Sequence, residues 1–123
     1  VALVNQVRRE NGAAELAVDD PLMTAAQACS DRRYTWHHNR EECEAVADTG
    51  YPHGFGSNLT VFTGAATADI AQRAVTNWEN FPGHLRTMLT ADADSIGVGV
   101  TVQDGVTYCY LFVGRPNTIT PYR

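Results

Sequence analysis

Four histidines, three cysteines and one serine set between glycine and asparagine are the side chains of this 123-residue chain with the types and spacing to do chemistry. His84 follows Pro82-Gly83 at the end of a helical pattern, a place from which an imidazole can be aimed into a cleft. His37 and His38 are adjacent, so register decides which of them would face the same space. His53, between Pro52 and Gly54, reads as a solvent-exposed loop residue. Two neutral imidazoles can bind zinc or copper, whereas a stable protein site takes three or four ligands. Cys29, Cys43 and Cys109 lack any Cys-x-x-Cys spacing, which argues against a structural zinc site. Their odd number allows one disulfide and one thiol. Ser57 lies in Gly56-Ser57-Asn58, without the Gly-x-Ser-x-Gly elbow that exposes a nucleophilic serine, so it is read as a strand entry whose hydroxyl bonds locally.

The rest of the chain must position these groups. Its length is that of one domain over residues 1–123, with 44% hydrophobic residues, an ordinary globular composition. No apolar run approaches the roughly 20 residues of a membrane span, so no transmembrane segment is expected. If the chain is exported, its leader has been removed. A net charge of −5, with nine scattered basic residues, argues against nucleic acid, whose phosphates call for clustered Lys and Arg.

Leu3, Val4 and Val7 recur at helical spacing and Gly12 supplies a stop, so a short amphipathic helix covers Val1 to Asn11. Ala13 to Asp19 is an extended connection. Asp20-Pro21 reads as N-cap and first-turn proline of a second helix, whose apolar side carries Leu22, Ala25, Ala26, Cys29 and Arg33 and which runs to about Tyr34. Asn39 with Glu42 forms a capping-box-like start for a brief helix through Asp48, stopped by Gly50. Tyr51 to Gly56 is rich in turn formers, and Asn58 to Phe62 is a short strand. Thr67 caps a helix in which Ile70, Ala71, Ala74, Val75 and Trp78 share a face. Pro82 ends it and starts a shorter helix through Leu89.

The last third alternates Ile96, Val98, Val100 and Val102 with Gly97, Gly99, Thr101 and Gln103. Asp104-Gly105 is a type I′ hairpin signal, and Val106 to Val113 returns. A two-residue loop sets Gln103 against Val106, Val100 against Cys109, Val98 against Leu111 and Ile96 against Val113. On the other face, Tyr110 and Phe112 are expected to lie across Gly99 and Gly97. Both faces are apolar, so layers must cover both, which predicts a three-layer α-β-α sandwich of the α/β class with a C-terminal antiparallel hairpin in its central sheet.

Six segments in this order resemble the CAP superfamily, the SCP domain of cysteine-rich secretory proteins, antigen 5 and pathogenesis-related 1 proteins, and look most like its short bacterial members. They are Leu3-Val4-Asn5 with Arg8 and Gly12; Asp20-Pro21-Leu22 with Ala25-Ala26-Gln27; Trp36-His37-His38; Gly56-Ser57-Asn58-Leu59; Trp78 to His84; and Ile96-Gly97-Val98-Gly99. The resemblance implies a secreted α-β-α sandwich with a central cleft where two histidines and two glutamates can hold a divalent metal. Carried over by position, the histidines are His38 and His84. Ser57 stands where the family has its "GEN" glutamate and Phe81 where many members have the second. Glu79, about 200° away around the helix, does not substitute.

What the resemblance then implies is a non-enzymatic binding module, monomeric and extracellular. Its ligand cleft is made by His38, Ser57, Asn58 and His84, and takes a lipid, glycan or protein surface. The alternative is a zinc-dependent hydrolase or protease with His38 and His84 as metal ligands; otherwise no cofactor is expected. A third reading is a structural module of a larger surface protein. Asn58-Leu59-Thr60 fits a glycosylation sequon, but Asn58 matches the inward-facing asparagine of the family and is expected to bond backbone. In a secreted protein the cysteines pair as Cys43–Cys109 or Cys29–Cys43, or remain three buried thiols.

Overall fold

The computed structural model describes residues 1–33 and 40–115. Five helices, a single 3₁₀ turn and four strands follow in the order α1 (Ala2–Glu10), β1 (Ala17–Val18), α2 (Asp20–Asp31), α3 (Arg40–Asp48), β2 (Gly54–Thr63), the 3₁₀ turn Thr67–Asp69, α4 (Ile70–Glu79), α5 (Pro82–Met88), β3 (Ser95–Gln103) and β4 (Val106–Arg115). The strands form one sheet in the order β1-β3-β4-β2, with β1 parallel to β3 and the remaining pairs antiparallel. The hairpin takes the register that the alternation of its valines sets, with Gln103 on Val106 and Ile96 on Val113. Asp104 and Gly105 turn it with φ of 54° and 76°, as a type I′ turn requires.

Helices cover both faces, giving the expected α-β-α sandwich. On one face α2 and α3 pack Leu22, Ala25, Ala26, Cys29, Ala45 and Val46 against Leu59, Tyr110 and Phe112. On the other, α1, α4 and α5 pack Val4, Val7, Ala74, Trp78 and Met88 against Ile96, Cys109, Leu111 and Val113. The glycines of β3 serve the first face differently from the sequence expectation. A Cβ on Gly97 would lie 2.2 Å from the Leu22 carbonyl carbon, and one on Gly99 2.4 Å from that of Ala26. It is the backbone of α2, not an aromatic ring, that lies on the bare strand. Two strand residues rise about 6.7 Å and four helix residues about 6 Å, so successive turns of α2 settle on alternate residues of β3.

Local departures have local causes. The N-cap of α2 is Asp19, whose Oδ1 accepts from Leu22 N at 3.0 Å, so Asp20 and Pro21 are the first helical residues. The helix stops at Asp31, short of Tyr34, because Arg33 turns to φ 57°; Arg33 is exposed and lies off the apolar stripe. Thr67 opens a 3₁₀ turn ahead of α4 and gives no side-chain cap. Strand β2 starts at Gly54, four residues ahead of Asn58, because Gly54 to Ser57 pair with Arg115 to Phe112; ladder bonds to β4 override the weak strand preference of glycine.

Two polar residues of α1 are almost wholly buried. Asn5 donates through Nδ2 to the Leu16 carbonyl at 3.1 Å and accepts from Leu16 N at 2.7 Å, standing in for a strand partner. Arg8, 1% exposed, donates to the carbonyls of Ala14 at 2.6 Å, Met88 at 2.8 Å and Thr90 at 3.0 Å. Its guanidinium thereby satisfies carbonyls at the C-terminal end of α5 that the helix itself leaves without partners. Burial draws its pKa down.

No disulfide links Cys29, Cys43 and Cys109, which corrects the two pairings considered from sequence. Cys109 lies among the α1 and α4 contacts, on the face of the sheet opposite the α3 helix that carries Cys43, so the sheet itself stands between Cys43 and Cys109; Cys29, under α2, and Cys43 share a face and nevertheless form no disulfide. Burial pushes the Cys109 thiol up to about 11, and burial followed by the negative field of Glu42 pushes Cys29 up to about 12. Both are protonated at neutral pH and chemically quiet.

Candidate functional site

Proline at the start of α5 and an extended Phe81 before it set His84 in the first turn of that helix. His84 is half-buried, its ring edge-on to Phe81 with centroids 5.7 Å apart, and Phe81 is 60% exposed. The backbone of His84 is tied to the sheet: Asn58 Nδ2 donates to its carbonyl at 2.9 Å. Asn58 is fully buried, so the sequon at this position is inaccessible in the folded chain. Ser57, one residue earlier, points to the opposite face. It is paired with Phe112, against α2 and α3, whereas Asn58 is paired with Leu111, against α5.

Ser57 meets a carboxylate there. Its hydroxyl donates to Glu42 Oε1 at 2.5 Å, and the Tyr110 hydroxyl donates to Glu42 Oε2. All three side chains are 1% exposed or less. Glu42 comes from α3, where it shares a buried stripe with Ala45 and Val46. Reading Glu42 only as a capping residue missed it; an acid three and four residues before two apolar positions on so short a helix was the available signal. The two hydroxyls donate one to each carboxylate oxygen, which stabilises a buried acid that would otherwise be costly.

The structure thus brings Asn58 to His84 and Ser57 to Glu42, and keeps these two pairs on opposite faces of β2. His37 and His38 lie outside the described residues. His53 is half-buried, edge-on to Tyr51 with centroids 5.7 Å apart. Among the described residues no group of three or more His, Cys, Asp or Glu side chains gathers where one ion could reach them. Glu42 turns its oxygens to protein hydroxyls. The described donors therefore do not assemble the set that a divalent metal of this kind requires.

The face of α1 and α4 is built otherwise. Ala2 of α1 and Ala71 and Ala74 of α4 are too short to fill the gap between the helices, and a cavity of about 230 Å³ remains. Leu3, Val4, Ile70 and Trp78 form its walls, and Val98 and Cys109 lie at the sheet side. A larger groove of about 480 Å³ runs between α2 and α3, but its lining includes Asp20, Thr24, Arg32 and Asp48, a polar surface that water satisfies.

Compared with known proteins, residues 1–115 match the model of the CAP family, the cysteine-rich secretory protein family. A search of curated proteins finds no match. Among solved structures, an outer surface protein from Borrelia burgdorferi superposes with a TM-score of 0.72 at 16% identity, over 94% of this chain and 89% of that one. The venom allergen-like protein 4 of Schistosoma mansoni gives 0.72 at 13% identity, over 99% and 90%. An extracellular SCP-domain protein from Bacillus anthracis gives 0.65 at 22% identity, over 89% of this chain and 37% of that longer one. At these identities the likeness to solved structures is one of fold.

Proposed function

The chain belongs to the cysteine-rich secretory protein (CAP) family, and from that premise we propose that it is an extracellular binding domain that takes the hydrocarbon chain of a lipid between α1 and α4. The observation that carries this reading is the cavity of about 230 Å³ walled by Leu3, Val4, Ile70, Ala74, Trp78 and Val98. An apolar ligand is what such walls select, because they are aliphatic and aromatic apart from the Trp78 indole N–H, which is buried without a partner among the described residues. The volume falls below the roughly 300–1,000 Å³ of pockets that bury a whole drug-sized molecule, which matches one hydrocarbon chain and leaves a head group in solvent. About eight buried methylenes contribute about 6 kcal/mol before ordering costs.

An extracellular location is consistent with the Bacillus neighbour, described as an extracellular protein. No helix among the described residues is long and apolar enough to cross a membrane. His84 belongs to the separate polar cleft expected from the sequence, presented by the turn that Asn58 holds, with Ser57 on Glu42 at the opposite face of β2.

Displacement of a fluorescent fatty acid from the purified chain tests the assignment. Ala74→Leu, which fills the cavity, is expected to weaken binding at least tenfold, and His84→Ala to leave it within twofold. Retention of affinity in Ala74→Leu together with its loss in His84→Ala would move the ligand to the polar cleft and refute the assignment.

A further inference from the structure

The cavity does not end in polar surface. The outer half of β3 carries Val98, Val100 and Val102 on the face that packs against α1, and Val18 of β1, paired with Ile96, stands on the same face. Val98 and Val100 line the cavity. Beyond them the covering helices stop, with Val100 41% and Val102 56% exposed, while Val18, 54% exposed, flanks the opposite end of the strip beside Ile96. On the neighbouring strands the same level of the sheet is closed, since Thr107, which pairs with Val102, and Phe62, which pairs with Thr107, are 2% and 6% exposed. The apolar strip is therefore confined to the two strands on the β1 side, and it is continuous with the cavity.

Resting on the reading that the cavity takes a hydrocarbon chain, we propose that this valine strip docks the domain on the surface of a zwitterionic lipid bilayer, so that a chain passes from the bilayer into the cavity along Val102, Val100 and Val98. Charge and area select this occupant. Between Ile96 and Val113 the only charged residue is Asp104, and the whole chain carries −5, so an anionic surface would repel it and this stretch of the hairpin holds no cation to attract one. Three half-exposed valines fall far short of the roughly 800 Å² that each partner buries in a stable protein pair. A fluid bilayer needs no complementary partner surface, and a shallow, reversible contact is what delivery requires.

Two measurements on the whole chain test this separately from the cavity. Flotation with phosphatidylcholine vesicles reads docking alone: the wild type is expected to float with them, and the Val18→Thr/Val102→Thr variant, which keeps β-branched strand residues, to lose about tenfold of the bound fraction. Val102→Trp is expected to raise it and to show a blue-shifted emission on vesicles. Transfer of a fluorescent fatty acid from the same vesicles reads delivery: the wild-type rate should rise with vesicle concentration, and the double threonine variant should be about tenfold slower while binding the free probe in buffer with unchanged affinity. Absence of flotation, or equal flotation of wild type and variant, overturns the docking surface whatever the cavity binds. Flotation without probe binding overturns the cavity reading and the delivery route together. A concentration-dependent dimer abolished by the double substitution would assign the strip to a second copy and likewise overturn the proposal.

Discussion

The two faces of the sheet use the same four strands and opposite packing solutions. Against α2 the strand gives up side chains at Gly97 and Gly99 so that helix backbone meets strand backbone, and the buried carboxylate on that side, Glu42, is enclosed by Ser57 and Tyr110. Against α1 and α4 the strand keeps its valines while the helices give up theirs, with alanine at 2, 71 and 74, and about 230 Å³ stays open. Where both layers carry small residues, Gly97 and Gly99 against a helix with Ala25 and Ala26, the contact closes; where the helices alone carry them, a pocket is left. Small residues on the strand let a whole helix approach; small residues scattered on two helices that a third layer holds apart leave a hole between them.

Adding atoms to each face breaks this contrast most sharply. Gly99→Val should cost about 4 kcal/mol or more, because the backbone of α2 has to move away from the sheet, and urea unfolding should show either a collapsed midpoint or no folded chain. Ala74→Leu adds the same three carbons on the other face, yet should change stability by less than about 1 kcal/mol, since it fills existing space. If both substitutions proved equally costly, the cavity would not be open in solution.

Removing the carboxylate comes next. Glu42→Ala should cost about 3–4 kcal/mol by leaving two buried hydroxyls without their acceptor, while Ser57→Ala removes one donor and should cost about 1–2 kcal/mol. In a double-mutant cycle by urea unfolding the two should be strongly non-additive; additivity would mean that Ser57 and Glu42 do not share the bond.

Alkaline titration gives a smaller, graded effect. The folded state resists ionising Cys29 until about 12 and Cys109 until about 11, against a reference of 9.0, so their contribution is intact below about pH 9 and is lost as pH rises through the folded values. Melting temperature in the presence of a reductant should fall across that window. Cys29→Ala should flatten the fall more than Cys109→Ala, because the field of Glu42 acts on the closed face alone. The smallest expected signal is zinc: calorimetry should show no stoichiometric binding, and binding abolished by His84→Ala would place a complete site at the polar cleft.

Much of the frame was legible in the chain. The hairpin could be registered residue by residue because Asp104-Gly105 fixes the loop and the valines alternate, and the helices showed their apolar periods. What was not legible depended on encounters between distant segments. Glu42 looks like a capping acid until the fold sets Ser57 and Tyr110, 15 and 68 positions further on, around it. The cavity is a gap between alanines that are unremarkable in their own helices. Gly97 and Gly99 were noticed, but which neighbour would occupy their bare side depended on how closely α2 descends. Asp19 rather than Asp20 caps that helix because it is the Asp19 carboxylate that reaches the free N–H of Leu22.

The three carbonyls held by Arg8 also constrain the order of events during synthesis. Two of them, on Met88 and Thr90, lie 80 and 82 positions further along the chain. Helix α1 therefore carries a cation two of whose three acceptors are absent until residue 90 has emerged, and burying a guanidinium short of its acceptors is strongly unfavourable. Helix α1 cannot seat early. It closes over the sheet late, and the cavity wall that it supplies is among the last parts of the molecule to form.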